Sequence, residues 1–173
     1  MGNQIPQLLI NAKVYNASKA LLGMANAEIS DLEYLTESIA GLGIAGEIDL
    51  PALGHLKSIT LKLKWNSVCE SAIELLAPKS HQLEIYASLQ NWSYSEGVLK
   101  PVGCRVSARA VPKKSGVGKF EPAKKMEPES EFEVYYLKMA IGGANMLEFD
   151  KFNFKCAISG TDYLADVRSQ LGL

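Results

Sequence analysis

Residues able to do chemistry are scattered along this chain. Its two histidines are His55 and His81. A metal or acid–base centre would have to join them to distant cysteines and carboxylates, and no ligand spacing recommends such a centre. They read instead as a loop histidine and a strand-end histidine. Cys69, Cys104 and Cys156 are odd in number and lack a CxxC spacing, so they read as reduced, half-buried small residues. Ser115-Gly-Val-Gly-Lys119 approaches a phosphate loop, but Lys113 stands at the first glycine position and Phe120 replaces the Ser or Thr that would meet magnesium. Glu129, Glu131 and Glu133 alternate along one strand face. Paired carboxylates can do acid–base work, yet this row reads as a solvated face. Lys113, Lys114, Lys124 and Lys125 suit phosphate contact. Without interleaved aromatics they read as an exposed loop, turned to solvent or to an acidic protein surface. Neither catalysis nor a cofactor or metal is called for.

The elements that must carry these residues are mostly strands. Ile59, Leu61, Leu63 and Trp65 alternate with polar residues, the period-2 mark of a half-buried strand. Leu83–Leu89 and Phe152–Ile158 repeat the pattern, and Val102–Val111 and Glu131–Ile141 are β-rich. The turn Ile141-Gly-Gly-Ala-Asn145 predicts a hairpin between Glu131–Ile141 and Met146–Ser159. Gln7–Tyr15, Leu21–Ile29 and Leu32–Ile39 read as three further strands, with breaks at Ala17–Lys19 and Ser30-Asp31. A helix is expected from Asn66 or Ser67 to Leu76, stopped by Pro78, and a second from Thr161 or Asp162 to Leu171 before Gly172. Lys113–Pro128 reads as an exposed loop. The pattern predicts one domain over residues 1–173, mainly β, a β-sandwich or barrel with one packed helix and a short C-terminal helix.

Gly41–His55, GLGIAGEIDLPALGH, fits this scheme poorly. It is too glycine-rich and proline-broken for a helix or central strand. It is also too apolar for a solvated loop, which points to a surface that another molecule covers. Net charge is −1 and implies no nucleic-acid or membrane partner. Its distribution is uneven. Ala20–Leu56 contains no Lys or Arg but holds Glu28, Asp31, Glu33, Glu37, Glu47 and Asp49, whereas Leu99–Met126 holds eight basic residues against Glu121. Such a split serves pairing within the chain or contact between copies. Long unblunted edges, assigned to Leu56–Trp65 and Leu21–Ile39, invite pairing with a neighbour. The N-terminus has no signal-peptide pattern, and no stretch reaches the roughly 18 apolar residues of a membrane helix.

Taken as a set, several segments resemble one family. They are Met1-Gly-Asn-Gln-Ile-Pro-Gln-Leu-Leu-Ile-Asn-Ala-Lys-Val-Tyr15, Asp31-Leu-Glu-Tyr34, Gly43-Ile-Ala-Gly-Glu47, Leu53-Gly-His55, Leu76-Ala-Pro-Lys79, Val111-Pro-Lys-Lys114, Tyr136-Leu-Lys138 and Gln170-Leu-Gly-Leu173. The chain resembles, over nearly its whole length, the major tail tube protein of contractile-tailed phages and of R-type bacteriocins. The resemblance implies a fold shared with the type VI secretion tube protein and no catalysis. It implies hexameric rings stacked into a hollow tube inside a contractile sheath, with the sheath protein, baseplate hub, tail terminator and tape-measure protein as partners. In a phage, DNA passes the lumen without specific binding. The particle is assembled in the bacterial host cytoplasm, and its tube pierces an envelope on contraction.

On that view Gly41, Gly43, Ile44, Gly46, Ile48, Leu50, Leu53 and His55 form an inter-subunit loop reaching the same ring or the next. Glu28, Asp31, Glu33 and Glu37 would line the lumen. Lys113, Lys114, Lys124 and Lys125 would meet the next ring or the sheath. A bacteriocin tube without a genome fits the same residues. A monomeric β-sandwich ligand-binding module and a β-barrel enzyme are rivals of other classes. Replacing Ile44→Asp with Leu53→Asp should leave a folded protomer unable to polymerise; loss of β-sheet circular dichroism would place the segment in the core instead.

Overall fold

The computed structural model describes residues 4–17, 20–22, 25–41 and 43–173. Met1–Asn3, Ser18, Lys19 and Leu42, which fall within the family-like N-terminus, the first strand break and the 41–55 segment, lie outside the described residues.

Most alternating segments become strands: β1 (Gln4–Asn16), β2 (Ala25–Ile29), β3 (Tyr34–Ala40), β4 (Glu47–Leu56), β5 (Ile59–Trp65), β6 (His81–Ser93), β7 (Val98–Ser115), β8 (Glu129–Ile141), β9 (Ala144–Asp150), β10 (Lys155–Ile158) and β11 (Thr161–Asp162). The strand expected over Met146–Ser159 is broken: residues 151–154 form a turn between β9 and β10, with Phe154 at positive φ, so Phe152 and Phe154 leave the ladder. The helices are short, α1 (Glu70–Glu74) and α2 (Ala165–Leu171). Among the described residues, β1-β6-β7-β8-β9-β10-β11 form an antiparallel path, and β8 also pairs with β5, which pairs with β2. The branch arises because β8 spends its first half on β5 and its second half on β9. The glycines Gly142 and Gly143, both at positive φ, make the predicted β8–β9 turn.

This sheet wraps one core. Ile59, Leu61, Leu63 and Trp65 of β5 face Leu83, Val106, Ala108, Phe132 and Val134, and Ala72 and Leu75 of the α1 region close the core. The sheet does not close into a barrel. β5, expected as an edge, is paired on both sides, because β2 covers the flank that β8 leaves open. The strands expected over Leu21–Ile39 do not form a hairpin with each other or a shared edge: β2 joins β5, while β3 pairs with β4 in a separate two-stranded sheet.

The Gly41–His55 segment is therefore corrected from loop to hairpin arm over residues 47–55. Pro51 is tolerated because β4 is an edge, where its missing N–H breaks no ladder. A register shift between Tyr34 and Thr36 takes up the extra residues before Leu56. Lys113 and Lys114 also move from loop to strand, the last turns of pairing in β7, where Lys114 lies opposite Glu131.

The arm is fastened at its base. Ser30 N donates to Thr60 O at 2.8 Å, Lys57 N to Glu33 O at 2.8 Å, and Lys57 Nζ meets the Glu33 carboxylate at 2.8 Å. Leu56 packs on the main core and on the smaller cluster of Phe149, Cys156 and Leu164. Gly54, at φ +68°, lies so close to Leu164 that a Cβ there would sit 2.6 Å from its side-chain carbons. Gly54→Ala combines left-handed strain with that overlap. It should cost about 2 kcal/mol of stability in urea denaturation; an unchanged midpoint would mean that the arm is not clamped there.

Candidate assembly surfaces

No single cluster gathers the residues that the sequence singles out; the protein presents four surfaces, and those residues fall mainly on two of them. The first is the β3–β4 arm. Residues opposite each other in an antiparallel pair share a face, so Ile39 with Ile48 and Glu37 with Leu50 lie on one side, and Ser38 with Asp49 and Ala40 with Glu47 lie on the other. One face is thus apolar around a single carboxylate, and the other is acidic and polar. Both are open: Ile39 is 42% exposed, Ile48 46%, Leu50 47% and Leu53 60%. Gly43 and Gly46 take positive φ at the turn beside exposed Ile44, and His55 is exposed near the base.

The second surface is β1. Among the described residues, no strand pairs its outer edge over residues 4–13, and Ile5, Leu8, Leu9 and Ile10 are all about half exposed. Composition alone does not mark this strip, because the core residue Val14 belongs to the same strand.

The third comprises charges on the outer face of β2, β5, β8 and β7. Glu28 reaches Lys64 at 3.6 Å, Lys62 meets Glu131 at 3.7 Å, and Lys113 meets Glu133 at 3.7 Å. The glutamate row 129–133 is therefore not a free solvated face. Register sets each carboxylate beside a lysine of the next strand, and all three are half-buried. Burial pushes the Glu133 carboxyl up, but Ser58, Lys151 and Lys113 outweigh it and leave it below the usual carboxylate range. Asp31 sits exposed in the β2–β3 connection, Glu33 pairs with Lys57 and Glu37 lies on the arm, so Glu28, Asp31, Glu33 and Glu37 are spread over three elements. Lys124 pairs with Glu121 in the exposed loop after β7, and Lys125 is exposed beside it.

A fourth surface escapes sequence reading. Glu84 and Tyr86 of β6, Arg105 and Arg109 of β7 and Tyr136 of β8 share the sheet face turned away from the core. Arg105 Nε donates to Glu84 at 2.6 Å and its guanidinium lies over Tyr86; Arg109 lies over Tyr136. Glu84 is only 5% exposed. Its polar site between Leu83 and Ile85 is the alternation's signal, but the diagonal partner depends on register.

His81 is structural. Its Nε2 lies 2.9 Å from Ala77 O, and its ring stands edge-on to Phe132. Among the described residues, no group of three or more His, Cys, Asp and Glu is placed to hold a metal, and no helix is long and apolar enough to cross a membrane.

Comparison with known proteins settles the family. The profile of phage tail tube protein FII matches residues 6–172. The chain belongs to that family. Its members are structural tail tube proteins. Two solved structures share the fold. One is a chain of an extracellular contractile injection system, from the PVC sheath/tube terminator in its extended state, at 13% identity and TM-score 0.56, covering 79% of this chain and 97% of that one. The other comes from the PVC sheath-tube complex in its extended state, at 11% identity and TM-score 0.54, covering 75% of this chain and 87% of that one. Comparison with curated proteins finds no match.

The Glu84–Arg105 pair yields a stability prediction. Burial pushes the Glu84 carboxyl up, but hydrogen bonds from Arg105 and Gln82, the Arg105 charge and Ser107 together hold it below the usual carboxylate range. A folded pKa below the unfolded value of about 4.3 contributes stability above that pH, and this is lost as pH falls through the lowered value. Arg105→Ala should cost about 2 kcal/mol at pH 7 by stranding the carboxylate. Adding Glu84→Gln should recover part of that loss and flatten the decline below about pH 4.3; additive losses in urea melts would mean that the pair is uncoupled.

Proposed function

We propose that the chain builds the inner tube of a contractile injection particle, its rings of six protomers stacking into a hollow conduit that the sheath drives through a target envelope. The observation that carries this reading is the arm. A two-stranded sheet standing alone is marginal in water, and among the described residues this one leaves Ile39, Ile48 and Leu50 on its apolar face nearly half exposed. In an assembled tube, a neighbour covers Ile39, Ile48 and Leu50, and the apolar strip of β1 gives neighbours a second contact. Tube-family membership and the fold shared with chains of a contractile system support the same conclusion.

Partners follow from that role: copies of itself, the sheath protein, a baseplate hub that nucleates assembly, a terminator that ends it, and a tape-measure protein within the lumen. If the particle carries a genome, DNA passes without specific binding. A bacteriocin tube would use the same protomer with no genome. Glu28, Asp31 and Glu33 are proposed to face the lumen, where like charge keeps DNA from sticking; Glu37, grouped with them by sequence, shares the arm face that the neighbour covers. A tube reconstruction with those carboxylates on the outer wall would overturn that assignment.

Negative-stain microscopy and sizing of the purified protein at rising concentration test the main reading. Uniform rings and hollow tubes are expected. A species that stays monomeric at every concentration, with a baseplate nucleus added, would contradict it and favour a stand-alone binding module.

A further inference from the structure

We propose that the acidic face of the arm on one copy seats on the basic 113–125 segment of the next copy, head to tail. This inference rests on the tube reading and specifies one of its contacts.

Three observations carry it. The first is charge. The arm, residues 34–56, holds Glu37, Glu47 and Asp49 and no Lys or Arg, while residues 113–125 hold five lysines against Glu121. The second is the lack of partners within the copy. Among the described residues, Asp49 on the arm and Lys114, Lys119 and Lys125 on the basic segment have no ion-pair partner. Glu37 and Glu47 likewise have no ion pair among the described residues; Lys57 and Lys64 pair with Glu33 and Glu28, which precede the arm, and the basic segment uses Glu133 and Glu121. The two stretches are thus complementary without meeting.

The third observation is position. The arm leaves the body at the Ile59 end of β5, where Ser30 bonds Thr60. The basic segment joins it at the other end, where Trp65 N donates to Pro128 O and Ser115 lies opposite Ser130. A seven-residue strand separates them, about 23 Å, and β3 of the arm has the same length. Complementary patches rooted at opposite ends of one body, with no ion pair between them among the described residues, can meet between copies related by a head-to-tail step. Such a heterologous contact repeats without limit. Opposed charge fixes its register and speeds encounter.

Charge reversal tests this. Glu47→Lys with Asp49→Lys makes an arm variant, and Lys119→Glu with Lys125→Glu makes a loop variant. Each alone, folded by circular dichroism, should fail to sediment as tubes. An equimolar mixture should recover assembly, as should one chain carrying all four changes. If a reversal disturbs folding, Glu47→Gln with Asp49→Asn should still raise the concentration needed for assembly several-fold. Tubes from either reversal alone at the wild-type threshold, or folded variants whose mixture fails, would overturn the contact and assign these charges to the sheath or to solvent. A wild-type chain that never assembles would overturn the tube reading itself, and this contact with it.

Discussion

A pair of β-strands has two faces and no interior, and that constraint governs this molecule. In the main sheet, β5, β6, β7 and β8 lie against a core that the α1 region closes. The β3–β4 arm has no second layer: Ile39, Ile48 and Leu50 face water in the single chain. Leaving that much apolar surface open on an ordered strand pair is unfavourable. The arm becomes favourable once another surface covers it. The protomer is in this sense unfinished, which is why the arm carries the proposed contact between copies.

The arm's base shows that this exposure is held in place. Gly54 lets the backbone pass against Leu164, Leu56 joins two apolar clusters, and Lys57 ties Glu33. A segment anchored at its root and bare at its tip suits reaching a neighbour. On the outer sheet face several charges pair within the chain, from Glu28 to Lys64 and from Lys113 to Glu133. Asp49, Lys114, Lys119 and Lys125 are without such pairs among the described residues, which leaves them open to the proposed contact between copies.

Period-2 alternation made much of the fold legible. β5, β6 and β8 lie where their apolar residues predict, and the Gly142-Gly143 turn joins β8 to β9. Pairing was not legible, because alternation fixes which side chains share a face but not which strands are neighbours. That is why Ile59–Trp65 looked like an edge and is central, and why Glu84 and Arg105 went unnoticed until register set them together. Gly41–His55 was legible as an anomaly but not as a strand. Its glycines and Pro51 count against strand formation locally, and only an edge with a single partner tolerates them. The helices shrank for a related reason: α1 keeps just the turn whose Ala72 reaches the core.

Hydrogen exchange at the arm's backbone amides addresses the central claim most directly. The account predicts rapid exchange over Thr36–Ala40 and Glu47–Leu50 in free protomers, far faster than in β5. Strong protection should appear at the same amides once tubes form. Equal exchange in the two states would mean that no neighbour covers the arm, and the account would be contradicted.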